Sequence, residues 1–334
     1  MIVVTGAAGF IGSCIVKKLN DEGHTNIICV DRFRDGEKWL NLRGLKFYEF
    51  AHADEFVEPE ILNSIFDEGV TAIYHMGACS STTEKNVDFL WKNNVEFSQI
   101  LFRYASEYDT PICYASSAAT YGAGENGYDD NEAEISKLMP LNPYGYSKQV
   151  FDEWVLKQLR TPKKWFGVKF FNVYGPNEYH KGKMRSVVHQ AFGQIKETGK
   201  MKLFKSYNPD FKDGEQLRDF VYVKDVVEAM YQLMNDGHTG ANGIYNLGTG
   251  KARSFVDLVK ATFAAMGEKE DIEFVEMPEN LRGQYQYFTE AKMDKLYQAL
   301  PNFKFHSLEE GVKDYVQNHL QKDNPRLVFN QVER

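Results

Sequence analysis

The sequence predicts an α/β fold: a doubly wound parallel sheet, followed by a smaller C-terminal α/β region. Two observations carry this. Short, unbroken apolar and β-branched runs, the form taken by strands buried on both faces, alternate with longer stretches of helical period. Several of these runs end in glycine-rich or small-residue turns, as strands do where an open parallel sheet presents its carboxyl ends.

The first run is Ile2–Thr5. It ends at Gly6-Ala7-Ala8-Gly9-Phe10-Ile11-Gly12, and an amphipathic helix continues through Leu19 to stop at Gly23. Glycines let a backbone turn tightly and approach a pyrophosphate, whose charge then meets the helix N-terminus. The glycines are spaced three and three, not the two and three of the usual dinucleotide fingerprint. Their place between a strand and a helix is what gives the turn its weight. A second strand, residues 26–30, ends at Asp31-Arg32. An acidic residue here suits an adenosine ribose and NAD, whereas the Arg32 guanidinium, with Lys38 nearby, suits a 2′-phosphate. The balance tilts to NADP, with NAD left open.

Ala72–His75 reads as a strand running into the small-residue turn Met76-Gly77-Ala78-Cys79-Ser80, where a cofactor could come close. His75 has no ligand set around it and reads as structural. Phe97, Leu101, Tyr104, Ala105 and Tyr108 recur at helical period and read as core. The next strand, residues 111–115, ends in Ser116-Ser117-Ala118-Ala119-Thr120-Tyr121-Gly122. A hydroxyl at that strand end can hydrogen-bond a reacting oxygen.

Asn142-Pro143-Tyr144-Gly145-Tyr146-Ser147-Lys148 is the stretch with most chemistry. Pro143 suits the first turn of a helix, where its missing N–H costs nothing. Tyr144 and Lys148, four apart, then share one helical face. A phenol titrates near 10, and a neighbouring ammonium is expected to lower that value, making Tyr144 an acid/base. Tyr179 and Lys183 repeat the spacing, but Gly175, Pro176 and Gly182 mark that stretch as loop. Within it, Lys181 is either a solvated charge or an amine reaching the substrate, with desolvation lowering its pKa.

Residues 165–172 form another apolar strand, closing with Asn172-Val173-Tyr174-Gly175-Pro176. Beyond it come a short run at 202–204, a polar loop at 206–216 and Arg218-Asp219-Phe220-Val221-Tyr222-Val223. Asp225 reads as the cap of a helix through Met234, and Ser254 caps another. Strands are expected at 244–247 and 272–276, and a final helix at 307–320. Arg218, Arg282 and Tyr285 would suit a diphosphate and a base or sugar. The organisation expected is a cofactor domain over residues 1–172, to which the chain returns around 215–250, and a mainly substrate-binding domain over 173–330.

The 334 residues are 43% hydrophobic and 26% charged, ordinary for a soluble globular chain. A net charge of −8 argues against a nucleic-acid partner. No run of 18 apolar residues is present, so no membrane partner is expected. The chain opens on a strand with no signal-like segment before it. Cys14, Cys29, Cys79 and Cys113 show no metal or disulfide spacing, which suits thiols in a reducing cytoplasm.

Together, Thr5-Gly6-x-x-Gly9-x-x-Gly12, Ser116-Ser117-Ala118, Tyr144-x-x-x-Lys148, Asn172-Val173-Tyr174-Gly175-Pro176 and Arg218-Asp219-Phe220-Val221-Tyr222-Val223-x-Asp225 resemble the extended short-chain dehydrogenase/reductase superfamily over essentially the whole chain. Finer segments resemble its ADP-L-glycero-D-manno-heptose 6-epimerase family: Gly77 to Glu84, Tyr114 to Gly122, His180-Lys181-Gly182 and Gln284-Tyr285-Gln286-x-Phe288-Thr289. That resemblance implies a Rossmann domain holding NADP, a smaller C-terminal substrate domain, and inversion of C6″ of an ADP-heptose for lipopolysaccharide core synthesis. It also implies homo-oligomers, pentamers among them. By matching position, Ser117, Tyr144, Lys148 and Lys181 are catalytic. Gly6, Gly9, Phe10, Ile11, Gly12, Asp31, Arg32, Lys38, the 76–80 turn (Met76, Gly77, Ala78, Cys79, Ser80), Asn93, Lys148, Val173 and Lys181 hold the cofactor. Ser117, Asn172, Lys183, Gln190, Phe204, Arg218 and Tyr285 hold substrate, and no metal is implied.

The chain departs from the family pattern in four places. Ala53 stands where a cofactor-contacting lysine is expected, Gln190 replaces a histidine beside His189, Lys183 replaces a serine, and the loop to Gln216 is long. The rival readings are a nucleotide-sugar 4-epimerase, a 4,6-dehydratase and a non-catalytic NADP-binding protein. A dehydratase usually has acidic residues where Ala118-Ala119 follow Ser117, and a 4-epimerase has no need of Lys181. An intact Ser117, Tyr144 and Lys148 argues against the third.

Overall fold

A computed structural model describes residues 1–235, 240–282 and 286–329. Its first half lays down, in order, β1 (Ile2–Thr5), α1 (Phe10–Asp21), β2 (Ile27–Asp31), β3 (Glu49–His52), α2 (Ala53–Phe56), α3 (Pro59–Asp67), β4 (Ala72–His75), α4 (Val87–Leu90), α5 (Phe97–Glu107), β5 (Ile112–Ser117), α6 (Pro143–Leu156) and β6 (Trp165–Phe170). With the later strand Gly243–Leu247 these strands make a seven-stranded sheet, every neighbouring pair parallel. From one edge the order is Gly243–Leu247, β6, β5, β4, β1, β2, β3. β1 pairs with β2 on one side and β4 on the other, so the winding reverses there and a crevice opens beyond its carboxyl end. β1 and β2 are buried at every position, as their apolar composition requires.

Among the described residues, three small two-stranded sheets lie outside this layer: Asn172–Tyr174 with Phe220–Tyr222, Leu217–Arg218 with Arg253–Ser254, and Met201–Phe204 with Ile272–Val275. The apolar run at 165–172 is therefore not one strand. β6 ends at Phe170, and Asn172–Tyr174 pairs elsewhere. The helix expected to be capped by Asp225 starts earlier, at Val223, with Tyr222 in the cap position and no side-chain cap. Asp225 instead accepts from the His306 backbone N–H at 2.9 Å, and its Oδ1 meets His306 Nδ1 at 2.6 Å. Ser254 and Ser307 do cap their helices, each closing a capping box with Asp257 and Glu310.

Between α4 and α5 the helix does not break but widens into a π-turn over Trp91–Glu96. Such bulges frequently mark functional sites. This one aims Asn93 and Asn94 at the crevice side, where both are buried. No helix among the described residues is long and apolar enough to cross a membrane. All four cysteines are free, three of them buried.

Candidate active site

The crevice beyond β1 is a cleft of about 620 Å³. It is lined by every residue the sequence assigned to a cofactor, from Gly6 through Asp31, Arg32, Lys38, the 76–80 turn, Asn93 and Val173 to Lys181. Ser117, Tyr144 and Lys148 line it too. At its floor, Gly6 has φ +64, and a Cβ there would stand 2.8 Å from the Gly77 N–H. A Cβ on Gly12 would sit 2.0 Å from the Gly6 carbonyl oxygen, so the third glycine lets α1 close onto the turn. That contact explains why the even spacing of three still builds a phosphate-sized cradle at a helix N-terminus.

Asp31 ends β2 with its carboxylate held by the Ala8 N–H at 2.8 Å, by its neighbour's Arg32 N–H at 2.7 Å, and by Lys38. Arg32 donates to Asp54 from Nε at 2.9 Å and from Nη2 at 2.5 Å. Ala53, where a lysine was expected, lines the cleft without a charge.

Ser117 closes β5 and accepts the Ala119 N–H at 3.1 Å. On α6, Asn142 caps the helix by accepting the Gly145 N–H at 2.8 Å, and Pro143 fills the first turn as expected. Tyr144, Lys148 and Asp152 then stack one above the next on the buried side. The ammonium of Lys148 donates to the Ala115 carbonyl at 2.9 Å. This corrects the expectation that it lowers the Tyr144 phenol. Burial pushes that phenol above its ordinary value, the hydrogen bond from Ser117 pulls it back, and Cys79 and Asp152 add to the rise. Burial also lowers Lys148, to about 8, against the opposing pull of Asp152. The partnership of Tyr144 is thus with Ser117, a placement that i, i+4 spacing does not reveal.

Lys181 enters from the opposite side, on the turn Tyr179–Met184. Its ammonium lies over the Phe10 ring, 5.3 Å from the centroid. Burial lowers its pKa while Glu178 resists. The loop is pinned to the glycine turn by Asn41, whose side-chain amide donates to the Ala8 carbonyl at 3.0 Å and the Asn177 carbonyl at 2.9 Å. His180 joins the same knot, 3.2 Å from that amide, and burial holds it near 4.

Two polar clusters behind the walls escaped the sequence. Asn94 accepts the Cys79 N–H at 2.8 Å and donates to the Cys79 carbonyl at 3.0 Å and to Ser147 Oγ at 2.9 Å. Ser147 in turn donates to the Tyr144 carbonyl at 2.7 Å. Lys169 and Asp152 form an ion pair of 2.6 Å with neither side chain exposed, and Ser116 donates to the same carboxylate oxygen at 2.6 Å. The π-turn asparagine and a lysine in an otherwise apolar strand were the available signals.

The residues assigned to substrate are less gathered. Apart from Ser117, none of the described ones lines this cleft. Asn172 and Lys183 are exposed, Gln190 is exposed and donates to the Arg185 carbonyl at 2.8 Å, and Phe204 ends a small-sheet strand. Arg218 is buried, donates to the Leu217 carbonyl at 2.8 Å and lies over the Phe255 ring. The His189 ring lies tilted against that of Tyr179, with 5.7 Å between centroids. Tyr285 lies outside the described residues.

Residues 2–248 match the model of the NAD dependent epimerase/dehydratase family. Curated proteins named ADP-L-glycero-D-manno-heptose-6-epimerase are similar over nearly the whole chain. One from Fusobacterium nucleatum is 53% identical across 98% of this chain and 100% of its own. One from Nitratidesulfovibrio vulgaris is 49% identical at the same coverage. The chain belongs to this epimerase family. Among solved structures, that of the Helicobacter pylori ADP-L-glycero-D-manno-heptose-6-epimerase superposes with a TM-score of 0.78 at 29% identity, covering 95% of each chain. The UDP-glucose 4-epimerase of Thermotoga maritima gives 0.75 at 26% identity, covering 95% and 97%. The cofactor of such a family is a nicotinamide dinucleotide, and the cleft fits one: a cradle that a Cβ would fill, an acidic residue at the end of β2, and hydroxyl and amine groups at the far end.

Proposed function

We propose that this chain inverts C6″ of ADP-D-glycero-D-manno-heptose to give ADP-L-glycero-D-manno-heptose, a precursor of the lipopolysaccharide core, using bound NADP. The observation that carries it is the meeting of Ser117, Tyr144, Lys148 and Lys181 in one dinucleotide-shaped cleft. The names of relatives along the full chain supply the sugar.

A nicotinamide bound in this cleft supplies the acceptor and donor of one hydride. The chain's own residues handle the proton and the geometry. Tyr144, held by Ser117, gives its proton to the ketone oxygen in one pose as hydride returns. Lys181, from the opposite wall, serves the oxygen in the other pose, which makes a two-base scheme. Burial suits both tasks, since a phenol kept neutral can donate and an amine lowered toward neutrality can accept. Lys148 holds the cofactor ribose, with Arg32 and Lys38 taking the 2′-phosphate. Asn172, Lys183, Gln190, Phe204, Arg218 and Tyr285 complete the sugar-nucleotide side. The walls keep the transient ketone from water. The protein works in the cytoplasm as a homo-oligomer.

The test is direct. The full chain is incubated with ADP-D-glycero-D-manno-heptose in deuterated water and C6″ is followed by NMR. Inversion without deuterium at C6″ supports hydride return to the same carbon. An inert heptose, with turnover of a UDP-hexose at C4 or a 4,6-dehydrated product, overturns the substrate assignment.

A further inference from the structure

Asp54 occupies the second position of α2, immediately after the neutral Ala53 that lines the cleft. One of its carboxylate oxygens takes two donors of the Arg32 fork, Nε at 2.9 Å and Nη2 at 2.5 Å. His52 and Lys92 face the same carboxylate, and Arg32 is the main influence keeping it charged. On the other side of Arg32, Lys38 is engaged by Asp31 and by the Arg32 carbonyl at 3.3 Å. Both cations expected to meet a 2′-phosphate therefore already hold carboxylates, whereas a 2′-hydroxyl needs neither.

We propose that Asp54 is a specificity-determining residue: it competes with the 2′-phosphate of NADP for the Arg32 guanidinium and so narrows the preference for NADP over NAD. The inference rests on the reading above that Arg32 receives that phosphate. A phosphate monoester carries between one and two negative charges near neutrality, and Asp54 already holds the Nε–Nη2 edge of the Arg32 guanidinium. To bind, the phosphate must displace Asp54 or sit beside it as a like charge, and both weaken binding. Neither applies to NAD. Asp54 is well exposed, so its removal leaves the core untouched.

The experiment is calorimetric titration of NADP⁺ and NAD⁺ into the nucleotide-stripped full chain, its Asp54→Asn variant and its Arg32→Ala variant. Asp54→Asn is expected to tighten NADP⁺ about tenfold and to leave NAD⁺ within twofold, the size of a lost close like-charge contact. An NADP⁺/NAD⁺ ratio within twofold of the parent overturns the role of Asp54, provided Arg32→Ala selectively weakens NADP⁺. If Arg32→Ala leaves both affinities unchanged, the phosphate site itself is misassigned and the inference falls with it. NAD⁺ binding reports in every variant that the cleft is folded.

Discussion

Lys148 and Lys181 bring two amines to one cleft from opposite kinds of support. Lys148 sits inside α6, 3% exposed, with its ammonium tied to the Ala115 carbonyl and its helix locked by Ser147 and Asn94. Lys181 rides on a short turn where Gly182 takes φ +54 and the next two residues are exposed. Burial lowers the pKa of both. The difference is in freedom of position. An amine fixed by the scaffold suits a cofactor that must not move, and an amine on a turn suits a sugar that has to be met in two poses.

The largest effect that could break this contrast is on turnover. Tyr144→Phe combined with Lys181→Met should lower inversion by at least about 10⁴-fold, since each acid/base typically contributes about 10²–10⁴. The dinucleotide should remain bound, as shown by equilibrium dialysis. Full activity in the double variant rejects the two-base scheme. On the scaffold side, Lys169→Met strands the buried Asp152 carboxylate. It should cost about 3–5 kcal/mol in urea unfolding, and a loss under 1 kcal/mol would mean that α6 is not anchored there.

A third measurement uses pH. Lys148 is an ammonium below about 8 and neutral above it. Affinity of the free chain for the dinucleotide should be full below that point and fall as pH rises through it, by up to about tenfold per pH unit. Lys148→Arg, charged throughout, should flatten the profile, and an unchanged slope would take Lys148 out of the cofactor contacts. The smallest effect concerns the turn. Gly182→Ala should cost about 1 kcal/mol of stability from its left-handed backbone, yet slow turnover more than Lys148's neighbours do when conservatively replaced. Steady-state kinetics of Gly182→Ala beside Ser147→Ala checks the ranking.

Why the residues lining the cleft could be picked out along the chain follows from how the cleft is made. Gly6 to Gly12, Asp31, Met76 to Ser80 and Ser117 are contiguous turns at the carboxyl ends of strands, so spacing along the chain is spacing in the cleft. The sugar side depends on single side chains from segments scattered between 172 and 285, where position along the chain says little. β3 was missed because Glu49–His52 is an edge strand with no fully buried position, lacking the apolar run that marks β1. The Tyr144–Lys148 interaction was misjudged for a different reason. Periodicity correctly set both on one face, but that face packs against β5, whose Ala115 carbonyl captures the amine. Lys169 hid in an apolar strand because its partner Asp152 comes from another element. Both ends of such a pair have to be in view before either is legible.

The amide of Asn94 joins the Cys79 segment on one wall to α6 on the other with three hydrogen bonds. The one bond that reaches α6 contributes about 0.5–1.5 kcal/mol toward a fixed spacing between these two segments. A spacing held on that side leaves the second face of a flattened carbon to be presented by the guest, through rotation about its own single bonds, with Lys181 meeting it from the turn.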